Sequence, residues 1–315
     1  MASFRFRKVY LGDSSTISSN NEKINTKHSI DDYFDGEKTI ELAEVKMQKK
    51  VIKDLEKDNK IDVILGSDLS NQLGITNEAL SNFNTSFLGL YNACASYVEE
   101  LIVASSILGS SSLKKIACVV SSNNLNAEKI FRYPIEYGSP RRITQSFTAT
   151  GAVASIVTKA ETNIKLESCT IGSVVDFGIK DVNNMGAIMA PAACNTLIEH
   201  LKDMKRDISY YDLVLTGDLG KMGSELFTDL LAQNDITIKK YIDAGSILIT
   251  DTNLTDQGAS GPVCLPLVLI EKVLKEKKNK KILIIGTGSL HNTSISNQHK
   301  SIPAIAHAIS LEVLK

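Results

Sequence analysis

Three absences narrow the reading. Net charge is the first: 35 Lys and Arg against 36 Asp and Glu leave −1 over 315 residues, so no global field draws the chain to nucleic acid or an anionic membrane. Any anion site must be local. Long apolar runs are the second. No window approaches the ~18 consecutive apolar residues of a membrane span, and the start MASFRFRKVYLGDSS turns polar after Leu11, before a signal-peptide core reaches useful length. The expectation is a soluble chain that reaches a membrane only through partners. The third is paired cysteine. Cys94, Cys118, Cys169, Cys194 and Cys264 are odd in number and widely spaced, with no C-x-x-C. That argues against a disulfide framework and a zinc site and implies a reducing compartment, with no metal or cofactor expected.

What is present is enough chain to bury a real hydrophobic core. Residues 14 to 36, rich in Ser, Asn, Lys and Asp, read as a surface excursion after a first short strand. From Lys38 to Asp58 apolar residues recur at helical spacing (Ile40, Ala43, Met47, Val51, Leu55), which predicts an amphipathic helix. Beyond it, helix-like stretches alternate with apolar runs at Val63 to Leu65, Ile116 to Val120, Leu213 to Leu215 and Ile282 to Ile285. Such alternation predicts a buried mixed or parallel sheet covered by helices.

An internal repeat is the strongest organisational signal. Ile61-Asp-Val-Ile-Leu-Gly-Ser-Asp-Leu69 aligns with Tyr211-Asp-Leu-Val-Leu-Thr-Gly-Asp-Leu219, an offset of 211 − 61 = 150. Lys114 to Ser122 aligns with Lys280 to Gly288, an offset of 280 − 114 = 166. Two echoes in the same order predict two similar halves, residues 1–170 and 171–315.

Between the members of the first half lies Tyr91-Asn-Ala-Cys-Ala-Ser96. A cysteine opening a helix meets the free N–H groups and dipole of its N-terminus, which favour thiolate; a small buried cysteine in a tight helix start is the competing reading. The segment resembles the nucleophile turn of the thiolase and ketoacyl-synthase superfamily. That resemblance implies a duplicated thiolase-like α/β fold, layered αβαβα, with mixed sheets covered by helices. Cys94 plus 166 falls on Ser260 in the glycine-rich Gly258-Ala-Ser-Gly261 of the second half, in agreement. Such enzymes need His and Asn partners for the cysteine. Where they fall, this chain has Gly217-Asp-Leu-Gly220 and Ala259, and His291 is the histidine nearest a turn facing the cysteine, though a solvated loop position explains it better. His28, His200, His299 and His307 show no ligand spacing.

One branch of the superfamily is more similar: the stage V sporulation protein AD family. The resemblance rests on Ala93-Cys94-Ala95-Ser96, Phe131-Arg-Tyr-Pro-Ile-Glu-Tyr-Gly138, Met185 to Ala193, Leu215-Thr-Gly-Asp-Leu219 and Ile302 to His307. It implies a non-enzymatic role: binding dipicolinic acid, free or as its calcium chelate, and helping a channel of stage V sporulation membrane proteins carry it into the developing spore. It further implies a peripheral place at the forespore or spore inner membrane, a role in germination and a homodimer. Where the family has His in its S-S-H-N string this chain has Asn123.

Dipicolinate is a flat ring with two carboxylates, so its site asks for forked donors and an aromatic face. Arg132, Tyr133 and Tyr137 supply both in one Pro- and Gly-punctuated segment. Cys94, Asn123, Asp218 and His291 complete the expected ligand set, with Cys94 as a vestigial nucleophile. Asp68 and Asp218 stand at equivalent strand ends, where ligand crevices of open α/β sheets lie. Two alternatives remain: an acyl-transfer enzyme using Cys94, and a scaffold with no small-molecule ligand.

Overall fold

Alternate residues along the strands belong to different cores, and this sets the layers. In the computed structural model, which describes residues 1–131, 141–276 and 280–314, Ile116, Cys118 and Val120 point into a central core. Ala117 and Val119 point into an outer one. In the second half, Ile282 and Ile284 share that central core, whereas Leu283 and Ile285 enter a third. A period of two with apolar residues in both phases requires helices on both faces of each sheet. The result is five layers.

The first half contains β1 (Ala2–Arg5), β2 (Tyr10–Ser19), β3 (His28–Ile30), α1 (Ile40–Glu56), β4 (Val63–Ser67), α2 (Gly74–Leu80), β5 (Ser86–Gly89), α3 (Ser96–Ser110), β6 (Lys115–Ser122), α4 (Asn124–Phe131), β7 (Phe147–Thr148) and β8 (Gly151–Thr158). The second contains β9 (Ile164–Ile171), α5 (Met185–Met204), β10 (Leu213–Thr216), α6 (Gly220–Ala232), β11 (Tyr241–Asp243), α7 (Ala244–Leu248), β12 (Ala259–Ser260), α8 (Cys264–Val268), β13 (Lys281–Ser289), α9 (Thr293–Ser296) and β14 (Ala304–Val313).

The strands run β11-β10-β13-β14-β9-β2-β8-β6-β4-β5. Read from either end, each set of five has the same order and the same senses: two parallel pairings, then two antiparallel. The two sequence echoes coincide with β4 and β10, and with β6 and β13. The sets join where Tyr10 and Leu11 pair with Lys165 and Ile164. Because β9 opens the second set, we place the division of the chain in the turn before it, at 159–163, rather than at residue 170. Helix α3 lies in the middle layer, with Tyr97, Leu101 and Leu108 in the central core; α1 covers one outer face and α5 and α6 the other.

One expectation is corrected. The surface excursion begins at residue 20 rather than 14, because β2 runs to Ser19 with Ser15–Ser19 buried in the sheet. Its hydroxyls find internal partners: Ser15 donates to Asp54 (3.0 Å) and Ser19 to Glu22 (2.6 Å). Hydrogen-bonded small polar side chains are tolerated inside, so their composition misled.

Candidate functional site

Cys94 sits in a single helical turn, Ala93–Ala95, just ahead of α3. The backbone is strained there: Ala93 has φ 49°, a left-handed conformation that costs a residue with a Cβ of order 1 kcal/mol or more. Ser96 Oγ donates to Ala93 O (2.8 Å) and accepts from Asn92 N–H (3.0 Å), which locks the turn. The Asn92 amide in turn meets His307 Nε2 at 2.7 Å, while His307 Nδ1 accepts from Gly172 N–H at 3.1 Å. Asn92 Nδ2 is the amide atom placed against His307 Nε2. Burial pushes His307 down to about 4, so it is neutral at physiological pH.

Asp218, just beyond β10, is buried. Its Oδ2 accepts from Gly261 N–H (3.0 Å) and its Oδ1 from the Thr287 hydroxyl (2.8 Å), and the Cys94 thiol hydrogen-bonds to the same carboxylate. Gly261 has φ +110°, and a Cβ there would meet Ser122 Oγ at 3.1 Å, so glycine is what lets that N–H reach Asp218. Burial raises Asp218 to about 6, against the pull of its hydrogen bonds.

The surroundings of half-buried Cys94 work against the thiolate that a helix start favours. Burial, then the Asp218 charge and the hydrogen bond to it, push the Cys94 thiol well above its ordinary range; the N–H groups of Gly261 and Cys94 itself oppose this without prevailing. Nucleophilic cysteine chemistry needs the thiolate.

Cys94 opens onto a cavity of about 20 Å³, lined also by Met185, Ser260, Gly261, Phe131 and His291. That is room for roughly one water. Outside lies a cleft of about 290 Å³, and the two share Phe131 and His291, whose ring centroids stand 5.3 Å apart. The cleft wall includes Gln72 and Leu73, consecutive residues at φ 58° and 56°. Buried Asp68 holds that turn, accepting from Ser70 N–H (2.6 Å), Thr76 N–H (2.8 Å) and the Thr76 hydroxyl (2.6 Å), besides the Ser70 hydroxyl. Tyr91 bridges cleft and cysteine. Its side chain is 47% exposed at the cleft, yet partial burial, with the Asp68 charge, lifts it to about 12.

The structure therefore brings Cys94, Asp218 and His291 together. His291 is 8% exposed and faces the cavity, against the expectation of a solvated loop residue. Asn123 is elsewhere: its Nδ2 donates to Tyr33 O (2.8 Å) and its Oδ1 accepts from Leu125 N–H (3.1 Å), capping α4 outside both cavities. Arg132, Tyr133 and Tyr137 lie outside the described residues. Thr287, Gly261 and the Asn92–His307 pair were not assigned a role from sequence, although Gly261 lies in the glycine-rich turn and Asn92 and His307 lie in two of the quoted blocks. Among the described residues no group of His, Cys, Asp and Glu could hold a metal ion.

Several solved structures share the architecture. The chain superposes on 3-oxoacyl-[acyl-carrier-protein] synthase III from Aquifex aeolicus with TM-score 0.61 and 14% identity, covering 96% of this chain and 99% of that one. It superposes on OleA from Xanthomonas campestris with TM-score 0.63 and 15% identity, covering 98% and 99%. The duplicated sheet with a cysteine heading its central helix thus defines a thiolase-like fold. Residues 18–312 match the family described as Stage V sporulation protein AD. The chain is also 32% identical over 318 residues to that protein of Bacillus subtilis (strain 168), covering 96% of this chain and 94% of its relative. It belongs to the stage V sporulation protein AD family.

Proposed function

We propose that this sporulation-family protein binds dipicolinic acid, free or as its calcium chelate, and does not transfer acyl groups. The observation that carries the reading is the Cys94 thiol held against Asp218 beside a cavity of about 20 Å³. An acyl-transfer site needs an ionised nucleophile and room for a substrate carbonyl. Here the Asp218 carboxylate and burial disfavour the thiolate, and the cavity beside it is narrow. The wider cleft outside has aromatic faces and polar side chains, which suit a flat carboxylate-bearing ring.

In this reading the protein assists uptake of the ligand into the developing spore, docked peripherally at the forespore inner membrane on the stage V membrane proteins. Among the described residues no helix is long and apolar enough to cross a membrane. A homodimer would form across β5, an outer strand of the sheet with Leu88 47% exposed.

The test is calorimetric titration with dipicolinic acid, with and without calcium, with benzoate as control and an Arg132→Ala variant alongside. Saturable binding weakened in the variant supports the reading. Absence of binding in both calcium conditions, together with turnover of an acyl thioester and selective alkylation of Cys94, supports the enzyme instead.

A further inference from the structure

The outer face of α1 gathers cations that the cysteine site does not use. Its inner face packs Met47, Val51, Ile52 and Leu55 against the sheet, and Val45 joins Ile75 and Ala79 of α2 in a small apolar seam. Beside that seam lies a concavity of about 330 Å³, lined by Leu42 and Val45 together with Lys46, Lys49, Lys50 and Lys53. The spacing i, i+3, i+4, i+7 makes the four lysines neighbours on one face of the helix.

Most acids around this face are already engaged. Asp35 (3.0 Å) and Glu37 (3.7 Å) both pair with Lys46, Glu41 pairs with Lys129 (2.6 Å), and Asp54 pairs with Lys57 (2.8 Å). Lys49, Lys50 and Lys53 have no ion pair among the described residues. Of the two carboxylates that line the concavity, Glu37 is held by Lys46, which leaves Glu78 of α2 opposite three unpaired amines. Exposed Glu56 stands at the end of α1, outside the concavity. The surplus is positive, and like charges one turn apart repel along the helix. An anion seated among them relieves that repulsion. The cation type narrows its chemistry. Among the described residues no arginine lines the concavity, so the fork that grips a planar carboxylate is not offered, whereas compact ammonium groups suit the oxygens of phosphate.

We infer that this concavity on α1 is an anion site for a compact ligand bearing two linked phosphates, held by Lys49, Lys50 and Lys53, with Glu78 weakening the grip. It lies on an outer layer, across the sheet from the central core that holds α3, and does not depend on what binds near Cys94. The balanced charge of the whole chain conceals it, because the acids that cancel these lysines lie elsewhere.

Pyrophosphate is titrated calorimetrically into wild type, into a variant combining Lys49→Gln, Lys50→Gln and Lys53→Gln, and into Glu78→Gln, with sulfate at matched ionic strength as control. Glutamine has a helix propensity close to that of lysine, so the triple variant should fold and melt close to wild type. The expected result is saturable binding to wild type that weakens between about 50 and 200 mM salt. The triple variant should lose about tenfold or more in affinity, and Glu78→Gln should gain a few-fold. Pyrophosphate should also raise the melting temperature of wild type and leave that of the triple variant where it was. Binding that the triple variant retains, or that sulfate matches, overturns the site. Absence of pyrophosphate binding overturns it as well; adsorption to phosphatidylglycerol vesicles that the triple variant loses would then assign the lysines to a membrane surface.

Discussion

The Cys94 thiol donates its hydrogen to Asp218, a carboxylate that also holds Gly261 N–H at 3.0 Å and the Thr287 hydroxyl at 2.8 Å. One side chain thus joins the turn before α3, the end of β10, the glycine-rich turn and β13. Its charge also works against ionising the cysteine that those elements surround.

Replacing Asp218 by Asn removes that charge and keeps the size. The Cys94 pKa should fall, while burial still holds it above an exposed thiol. Iodoacetamide alkylation followed against pH by mass spectrometry reads this directly. A profile unchanged from wild type would mean that burial alone governs the thiol.

Glu44 on α1 is buried and raised to about 8, chiefly by burial and then by the Asp68 charge. Ser121 (2.7 Å) and Asn126 (2.9 Å) hydrogen-bond to it. Its folded pKa lies above the ordinary 4.5, so the native state holds a proton that the unfolded chain has released, and raising the pH through that window destabilises the fold. Glu44→Gln should flatten this dependence. Melting temperatures between about pH 5 and pH 9 should drop less steeply in the variant than in wild type; parallel slopes would count against a protonated Glu44.

Helices α5 and α6 approach closely at Gly186, where a Cβ would lie 2.4 Å from Leu219 O and 3.1 Å from Gly223 Cα. Gly186→Ala must push back the backbone beside Asp218. It should cost about 1–3 kcal/mol in urea denaturation, as overpacking does.

Thr76 both donates its hydroxyl to Asp68 (2.6 Å) and accepts from Gln48 Nε2 (2.9 Å). Thr76→Val keeps the shape and leaves those buried partners short of a bond, at a cost of about 1–3 kcal/mol. Hydrogen exchange should accelerate first in the 70–74 turn. Uniform acceleration across the chain would show that Asp68 does not hold that turn in particular.

Much of the fold was legible because its signals are local or repeated. The β4 and β10 echo, and the β6 and β13 echo, are apolar runs ending in polar turns, and duplication placed them in equivalent positions. Helix α1 announced itself by spacing, within two residues at each end. The site was harder to read. The nearness of Cys94 to a helix start suggested an acidic thiol, but the opposing carboxylate arrives from a strand far along the chain, and burial depends on everything folded over it. Gln72 and Leu73 gave no hint of left-handed backbone, since neither is Gly or Asn; Asp68 imposes it from outside the pair. The hydroxyl-rich β2 looked solvated because composition does not reveal whether a hydroxyl bonds to water or to Asp54.

The narrowness of the cavity at Cys94 also makes this cysteine a caliper. A reagent scarcely larger than water can enter as the structure stands, whereas a bulkier one must wait for Phe131 or His291 to swing aside. Thiol reagents of graded size would be sieved accordingly. The steepness of their rates against size would measure how often that aromatic wall breathes, on a chain that carries its own probe at the one spot where the opening matters.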